Sequence, residues 1–165
     1  MALAEVIGGL KEAVKSDAAA ANIVARANHE LVGVTEVAVR AGAHTFTVDE
    51  PAALGGGGLG PNPVEYALAA LGSCQAISYR FWSEQLGIRF DSLKVDIEGD
   101  LDLRGFLGLD SSVRAGFGDV QASVKISGPE TTERYQELAD TVNQHCPVGD
   151  VFANPVPVSY ELSHV

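Results

Sequence analysis

The segment that most constrains this chain is "PNPVEYALAALGSCQAISYRFWSEQLG", residues 61 to 87. No proline interrupts it after Pro63, and both ends carry helix punctuation. Asn62 suits an N-cap, Pro63 falls at the first helical position where its missing N–H costs nothing, and Glu65 completes an Asn-Pro-x-Glu capping box. Gly87 supplies the residue type that follows a helix end. These signals predict one helix from Pro63 to Leu86, about 36 Å long at ~1.5 Å per residue. Its middle, "ALAALGSCQAI", is apolar nearly all round, which predicts burial on more than one side.

The rest of the chain supplies strands to cover that helix. From Ile23 to Val48, "IVARANHELVGVTEVAVR" and "HTFTVDE" are rich in β-branched residues and broken at Ala41-Gly42, predicting two or three antiparallel strands. "LKVDIEGDL" alternates Leu93, Val95 and Ile97 with charged residues, and "VQASVKI" alternates Val120, Ala122, Val124 and Ile126, so both read as half-buried strands. Between them "DLRGFLGLDSSVRAGFGD" has no steady period and reads as strand extension or a long hairpin loop. "PETTERYQELADTVNQHC" returns to helical spacing through Tyr135, Leu138 and Val142, and "PVPVSYEL" closes the chain as a predicted strand. Grouped strands, a long helix, more strands and a second helix define an α+β class rather than βαβ repetition. Residues 2 to 20, with Leu3, Val6, Ile7, Leu10 and Val14 at helical steps, read as a surface helix. The predicted organisation is therefore an accessory helix at 1–21 and one domain at 22–165.

Charge and composition remove several function classes. A net charge of −11, with 11 basic residues scattered along the chain, repels polyanions, so neither nucleic acid nor an anionic membrane is an expected partner. The N-terminus "MALAEVIGGLKEAVKSD" has no signal-peptide pattern and no stretch reaches the ~20 apolar residues of a membrane span, so a cytoplasmic location is expected. The glycine-rich "DEPAALGGGGLGPNP" is an exposed loop; it fits neither GxGxxG after a strand nor GxxxxGK[ST], which argues against a phosphate cradle. Two cysteines, 72 positions apart, fit neither a disulfide scaffold nor a zinc ribbon, and the four histidines add no ligand spacing. No metal and no cofactor is expected.

The two cysteines sit in different settings. Cys74 is roughly 18 Å along the long helix from Asn62, beyond the reach of the helix dipole. Its neighbours at helical steps are Ala67, Ala70, Leu71, Ile77, Ser78 and Phe81, an apolar stripe in which a lone cysteine is inert packing. Cys146 precedes Pro147 in "HCPVGDVFANP", where a short helix can begin with Cys146 at its N-cap, a setting that favours a thiolate. His145 beside it is a candidate base or a plain surface histidine.

The block "VDEPAALGGGGLGPNPVEYALAALGSC", followed 72 positions later by "HCPV", resembles the OsmC/Ohr family, named for osmotically inducible protein C and the organic hydroperoxide resistance protein. The likeness runs over roughly residues 22 to 165. It implies the OsmC-like fold, with antiparallel sheets around a long central helix in an intertwined homodimer. It also implies a thiol-dependent peroxidase in oxidative-stress defence, acting on organic hydroperoxides and recycled by a dithiol reductant such as a lipoylated protein. Cys74 then matches the attacking cysteine and Cys146 the resolving one. The family's attacking thiolate is served by an arginine from the N-terminal strands and a glutamate near the start of the central helix. Here "NHELVG" occupies the usual arginine position, leaving Arg40 or Arg26, and Val64 occupies the usual acid position, with Glu65 one place later. Nine residues at ~100° each turn Glu65 to the side of the helix opposite Cys74, where it is a candidate to orient an arginine from the partner subunit, although its capping role also explains it. A non-peroxidatic protein of the same fold, binding a small apolar ligand at the subunit interface, is the alternative.

Overall fold

The computed structural model describes residues 2–164; Met1 and Val165, the outermost residues of the predicted 1–21 and 22–165 segments, lie outside them. The chain forms two compact units, the first comprising the chain up to Ala70 with Glu98–Val120, the second Leu71–Ile97 with the chain from Gln121 onward.

In the first unit, helix α1 (Leu3–Ser16) is followed by a 3-10 turn, Ala18–Ala21, whose Asp17 cap accepts the Ala19 N–H. Strands β1 (Ala27–Leu31), β2 (Val37–Ala41) and β3 (His44–Val48) form an antiparallel sheet in the order β1-β2-β3. Its register sets His29 beside Val39 and Phe46, and Asn28 beside Arg40 and Thr45. Because side chains alternate across a strand, one face carries Val37, Val39, Phe46 and Val48 and the other carries Asn28, Glu30, Arg40, Thr45 and Thr47. Phe46 stacks on Tyr66 at 5.0 Å, and the Tyr66 hydroxyl donates to the Thr47 carbonyl at 3.2 Å. The glycine-rich loop is ordered around Asp49, a carboxylate only 2% exposed. It accepts the Thr35 hydroxyl at 2.6 Å and the backbone N–H groups of Glu50, Gly57 and Leu59 at 2.9, 2.9 and 3.2 Å. A Cβ at Gly56 would collide with the Glu50 carbonyl, which explains one glycine of this run.

Helix α2 (Pro63–Leu86) begins and ends where its punctuation predicts. Asn62 Oδ1 accepts the Glu65 N–H at 2.9 Å while Glu65 Oε2 accepts the Asn62 N–H at 2.8 Å, and Gly87 adopts φ +63°. Strand β4 (Ser92–Leu101) pairs with β5 (Phe117–Ser127). The aperiodic stretch between them holds one short helix, α3 (Leu103–Phe106), capped by Asp102. Helix α4 (Thr132–His145) leads through Cys146 into helix α5 (Pro147–Ala153). The core of the second unit is Tyr79, Ile88, Leu138 and Val142, with Trp82, Leu86 and Phe90 packed against it.

Two expectations need correction. Residues 155–162 do not form the predicted closing strand: a strand is held by ladder bonds to a neighbour, and this segment makes none among the described residues. Helix α2 buries one stripe, Leu71, Gln75, Ser78, Tyr79 and Ser83, rather than several faces; Ala69, Ala70, Ser73 and Ile77 remain exposed, because one chain supplies too little apolar surface to cover an all-round apolar helix. No helix among the described residues is long and apolar enough to cross a membrane.

Candidate active site

Helix α2 and the α4–α5 junction build the site within the second unit. Cys74 is half-buried on α2, and Cys146 is 2% exposed at the junction; both are free thiols. Cys146 is the N-cap of α5, its Sγ accepting the Gly149 N–H at 3.4 Å, as Pro147 at the first helical position predicts. Cys74 and Ser78, one turn apart on α2, are both near enough to Cys146 to act on its thiol, Cys74 pushing it up and Ser78 pulling it down. Gln75 completes the surround, since its Nε2 would stand 3.8 Å from a Cβ at Gly149. Two residues 72 positions apart in sequence are thus brought together as a dithiol.

Electrostatics at Cys146 depart from the sequence expectation of a ready thiolate. Burial pushes the Cys146 thiol above its ordinary value; the Gly149 N–H pulls it down, the Cys74 thiol pushes it up again, and the Ser78 hydroxyl pulls it down. Desolvation outweighs one N–H bond, so Cys146 rests as a protonated thiol. His145 is not aimed at it as a base: Nδ1 pairs with the Thr141 carbonyl at 2.8 Å and the ring stacks on Trp82 at 4.5 Å.

The predicted charged partners both belong to the first unit. Arg40 is exposed on the polar face of β2, in a groove of about 810 Å³ shared with Asn28, Glu30, Thr45 and Thr47. Glu65 is exposed in its capping box, nine residues and roughly 14 Å along the helix from Cys74. The arginines of the second unit are engaged: Arg80 with Glu84 and the Phe90 ring, Arg89 with Glu130, and Arg134 with Glu137 and the Leu86 carbonyl. Among the described residues no group of three or more His, Cys, Asp or Glu side chains is arranged to hold a metal. Sequence reasoning did not single out Gln75 and named Ser78 only as part of the stripe beside Cys74; the signal was two polar residues, adjacent to and four beyond Cys74, on the buried side of an apolar helix.

A sheet-and-helix fold with one cysteine on its long central helix and a second capping its last helix defines a class of α+β dithiol proteins. The sequence model for OsmC-like proteins matches residues 55–161, and the chain belongs to that family. Solved structures agree in fold. The OsmC-like protein of Mycoplasma pneumoniae superposes with a TM-score of 0.71 at 15% identity, over 81% of this chain and 90% of that one. An organic hydroperoxide resistance protein OsmC from Legionella pneumophila gives 0.60 at 20% identity, over 79% and 89%. The organic hydroperoxide resistance protein OhrB of Bacillus subtilis gives 0.54 at 19% identity, over 86% and 98%. A search of curated protein sequences finds no significant match.

Proposed function

We propose that this chain is a dithiol peroxidase that reduces organic hydroperoxides, with Cys74 the attacking thiol and Cys146 the resolving one. The observation that carries this reading is the neighbouring pair of free thiols, one half-buried and one buried and protonated. The difference in access supports these roles, since Cys74 is half-buried and Cys146 is buried. The Cys74 thiolate attacks one peroxide oxygen, the O–O bond breaks, and the alcohol leaves after taking a proton, with Cys74 left as sulfenic acid. Cys146 then forms the S–S bond to Cys74 as the S–O bond breaks, and the hydroxide leaves as water with the Cys146 proton. A dithiol reductant, such as a lipoylated protein, reopens the disulfide by exchange, which suits a compartment where thiols are kept reduced. The apolar neighbours of Cys74 favour an alkyl or fatty-acid hydroperoxide. Relatives of the same fold that carry the name organic hydroperoxide resistance protein support this substrate class.

The working unit in this proposal is a homodimer. It is supported by the exposed face of α2, where Ile77 is 69% exposed, and by the extended segment with Val156, Val158, Tyr160 and Leu162 turned to solvent. Arg40, without an ion-pair partner among the described residues, is the proposed cation for the Cys74 thiolate. Reduced protein mixed anaerobically with one equivalent of cumene hydroperoxide tests the reading by intact mass and non-reducing peptide mapping. Loss of two hydrogens with a linked Cys74–Cys146 peptide is expected. Two unreacted thiols in folded protein overturn it and favour a ligand-binding role.

A further inference from the structure

Gln75 follows Cys74 on α2, belongs to the buried stripe of that helix and is 7% exposed. Its side-chain amide makes no hydrogen bond among the described residues. Ser83 on the same stripe, by contrast, donates to the Arg80 carbonyl at 2.8 Å. An amide held away from water without a partner is costly, so its presence calls for a use. Its Nε2 stands over Gly149. A Cβ at Gly149 would lie 3.8 Å from Gln75 Nε2, 3.4 Å from Cys146 Sγ and 3.2 Å from Cys146 Cβ. The bare face of Gly149 therefore leaves a methyl-sized space bordered by the Gln75 amide and the Cys146 sulfur. Backbone conformation does not demand this glycine, since its φ is not positive, and glycine within a helix is less stable than alanine. Two locally unfavourable choices, an unpartnered amide and a glycine within α5, thus meet at one space beside the dithiol.

We propose that this space receives the oxygen of the Cys74 sulfenic acid, and that Gln75 is a catalytic residue whose amide N–H donates to that oxygen as it departs. This inference rests on the peroxidase reading given above, and it deepens the second step. When Cys146 attacks, the S–S bond forms, the S–O bond breaks, and its electron pair goes to the oxygen, which leaves as hydroxide and becomes water with the Cys146 proton. Charge gathers on this oxygen only in the second step; in the first it gathers on the other peroxide oxygen, which leaves as the alcohol. A donor already in place is most effective where charge develops in a site short of water. Cys74 is near enough to Cys146 to act on its thiol, so the sulfenic oxygen arises beside the space. The Gly149 N–H is taken by Cys146 Sγ at 3.4 Å, whereas the Gln75 amide is free to donate. An oxygen is smaller than a methyl group and fits where a Cβ would crowd Cys146.

The test compares full-length wild type, Gln75→Met, which keeps the length of the side chain without its N–H, and Gly149→Ala, which fills the space. Rapid mixing with cumene hydroperoxide reads the first step as peroxide consumption and the second as loss of trappable sulfenic acid while disulfide appears. Gln75→Met is expected to leave the first rate unchanged and to slow the second about tenfold, the size of one hydrogen bond to a charged group. Gly149→Ala is expected to slow the second step as well. A further readout needs no turnover: Gln75→Met is expected to keep or raise the urea midpoint of the reduced protein, because it removes an unpartnered buried amide. A lowered midpoint, or a Gln75→Met protein that does not fold, shows a structural bond at Gln75 and overturns the inference. So does a second step as fast as wild type in either variant, or an equal loss in both steps. Wild type that forms no sulfenic acid overturns the peroxidase reading and this inference with it, whereas wild-type turnover with an unaffected Gln75→Met removes only the role of Gln75.

Discussion

At the Cys146 sulfur two effects oppose one another: the N-cap position offers an N–H from Gly149, and the surrounding protein strips the sulfur of water. Burial is the larger, and the thiol is raised. A thiol raised above its ordinary ~8.5 contributes stability that is complete below that pH and lost as pH rises through the folded value. The reduced protein is therefore expected to show a urea midpoint that falls above about pH 8.5, and Cys146→Ser is expected to flatten that fall. Tyr79, raised by burial and then by Asp140, acts in the same direction at higher pH in both proteins. Glu65 illustrates the opposite case, a side chain whose local bonds account for it. Asn62→Ala is expected to lower stability by about 1 kcal/mol, and Glu65→Ala by less, with the rate of Cys74 oxidation unchanged in both; a slowed oxidation at full folding would instead assign Glu65 to catalysis.

Elements were legible wherever their signals are local. Helix α2 follows from Asn62, Pro63, Glu65 and Gly87, all within a turn of its ends, and the hairpin of β2 and β3 from the break at Ala41-Gly42. The loop ahead of α2 was legible as a loop but not as an organised one, since its organiser, Asp49, takes bonds from Thr35 on one side and Gly57 and Leu59 on the other. The Thr35 hydroxyl holds the Asp49 carboxyl below its ordinary value, against burial and with the help of the three N–H groups. A depressed carboxyl contributes stability that is present above ~3.9 and lost as pH falls through the folded value. Asp49→Asn is expected to lower the urea midpoint at neutral pH and to show a shallower loss in acid than wild type; parallel acid limbs would remove this role.

At the scale of the whole molecule, the chain exposes more ordered apolar surface than a solitary domain needs. Ile77 on α2, and Tyr160, 93% exposed, and Leu162 in the segment that joins no ladder among the described residues, are among the contributors. Sedimentation velocity across a concentration series is expected to show a dimer, and removal of residues 156–164 to weaken it; a monomer at every concentration would leave these surfaces for another partner. The family likeness was already legible in "GPNPVEYALAALGSC" and "HCPV", and the fold agrees with it.

What the sequence by itself determined is the set of features governed by neighbours in the chain: where α2 starts and stops, the alternation of the strands, and Cys146 at a helix N-cap. Only the tertiary structure decided that Cys146 is buried near Cys74, that the last apolar alternation joins no ladder among the described residues, and that Arg40 faces away from the apolar side of its sheet. The division has one physical cause. Capping, turn and periodicity preferences act over a few residues, whereas desolvation and strand pairing depend on groups that only folding brings together.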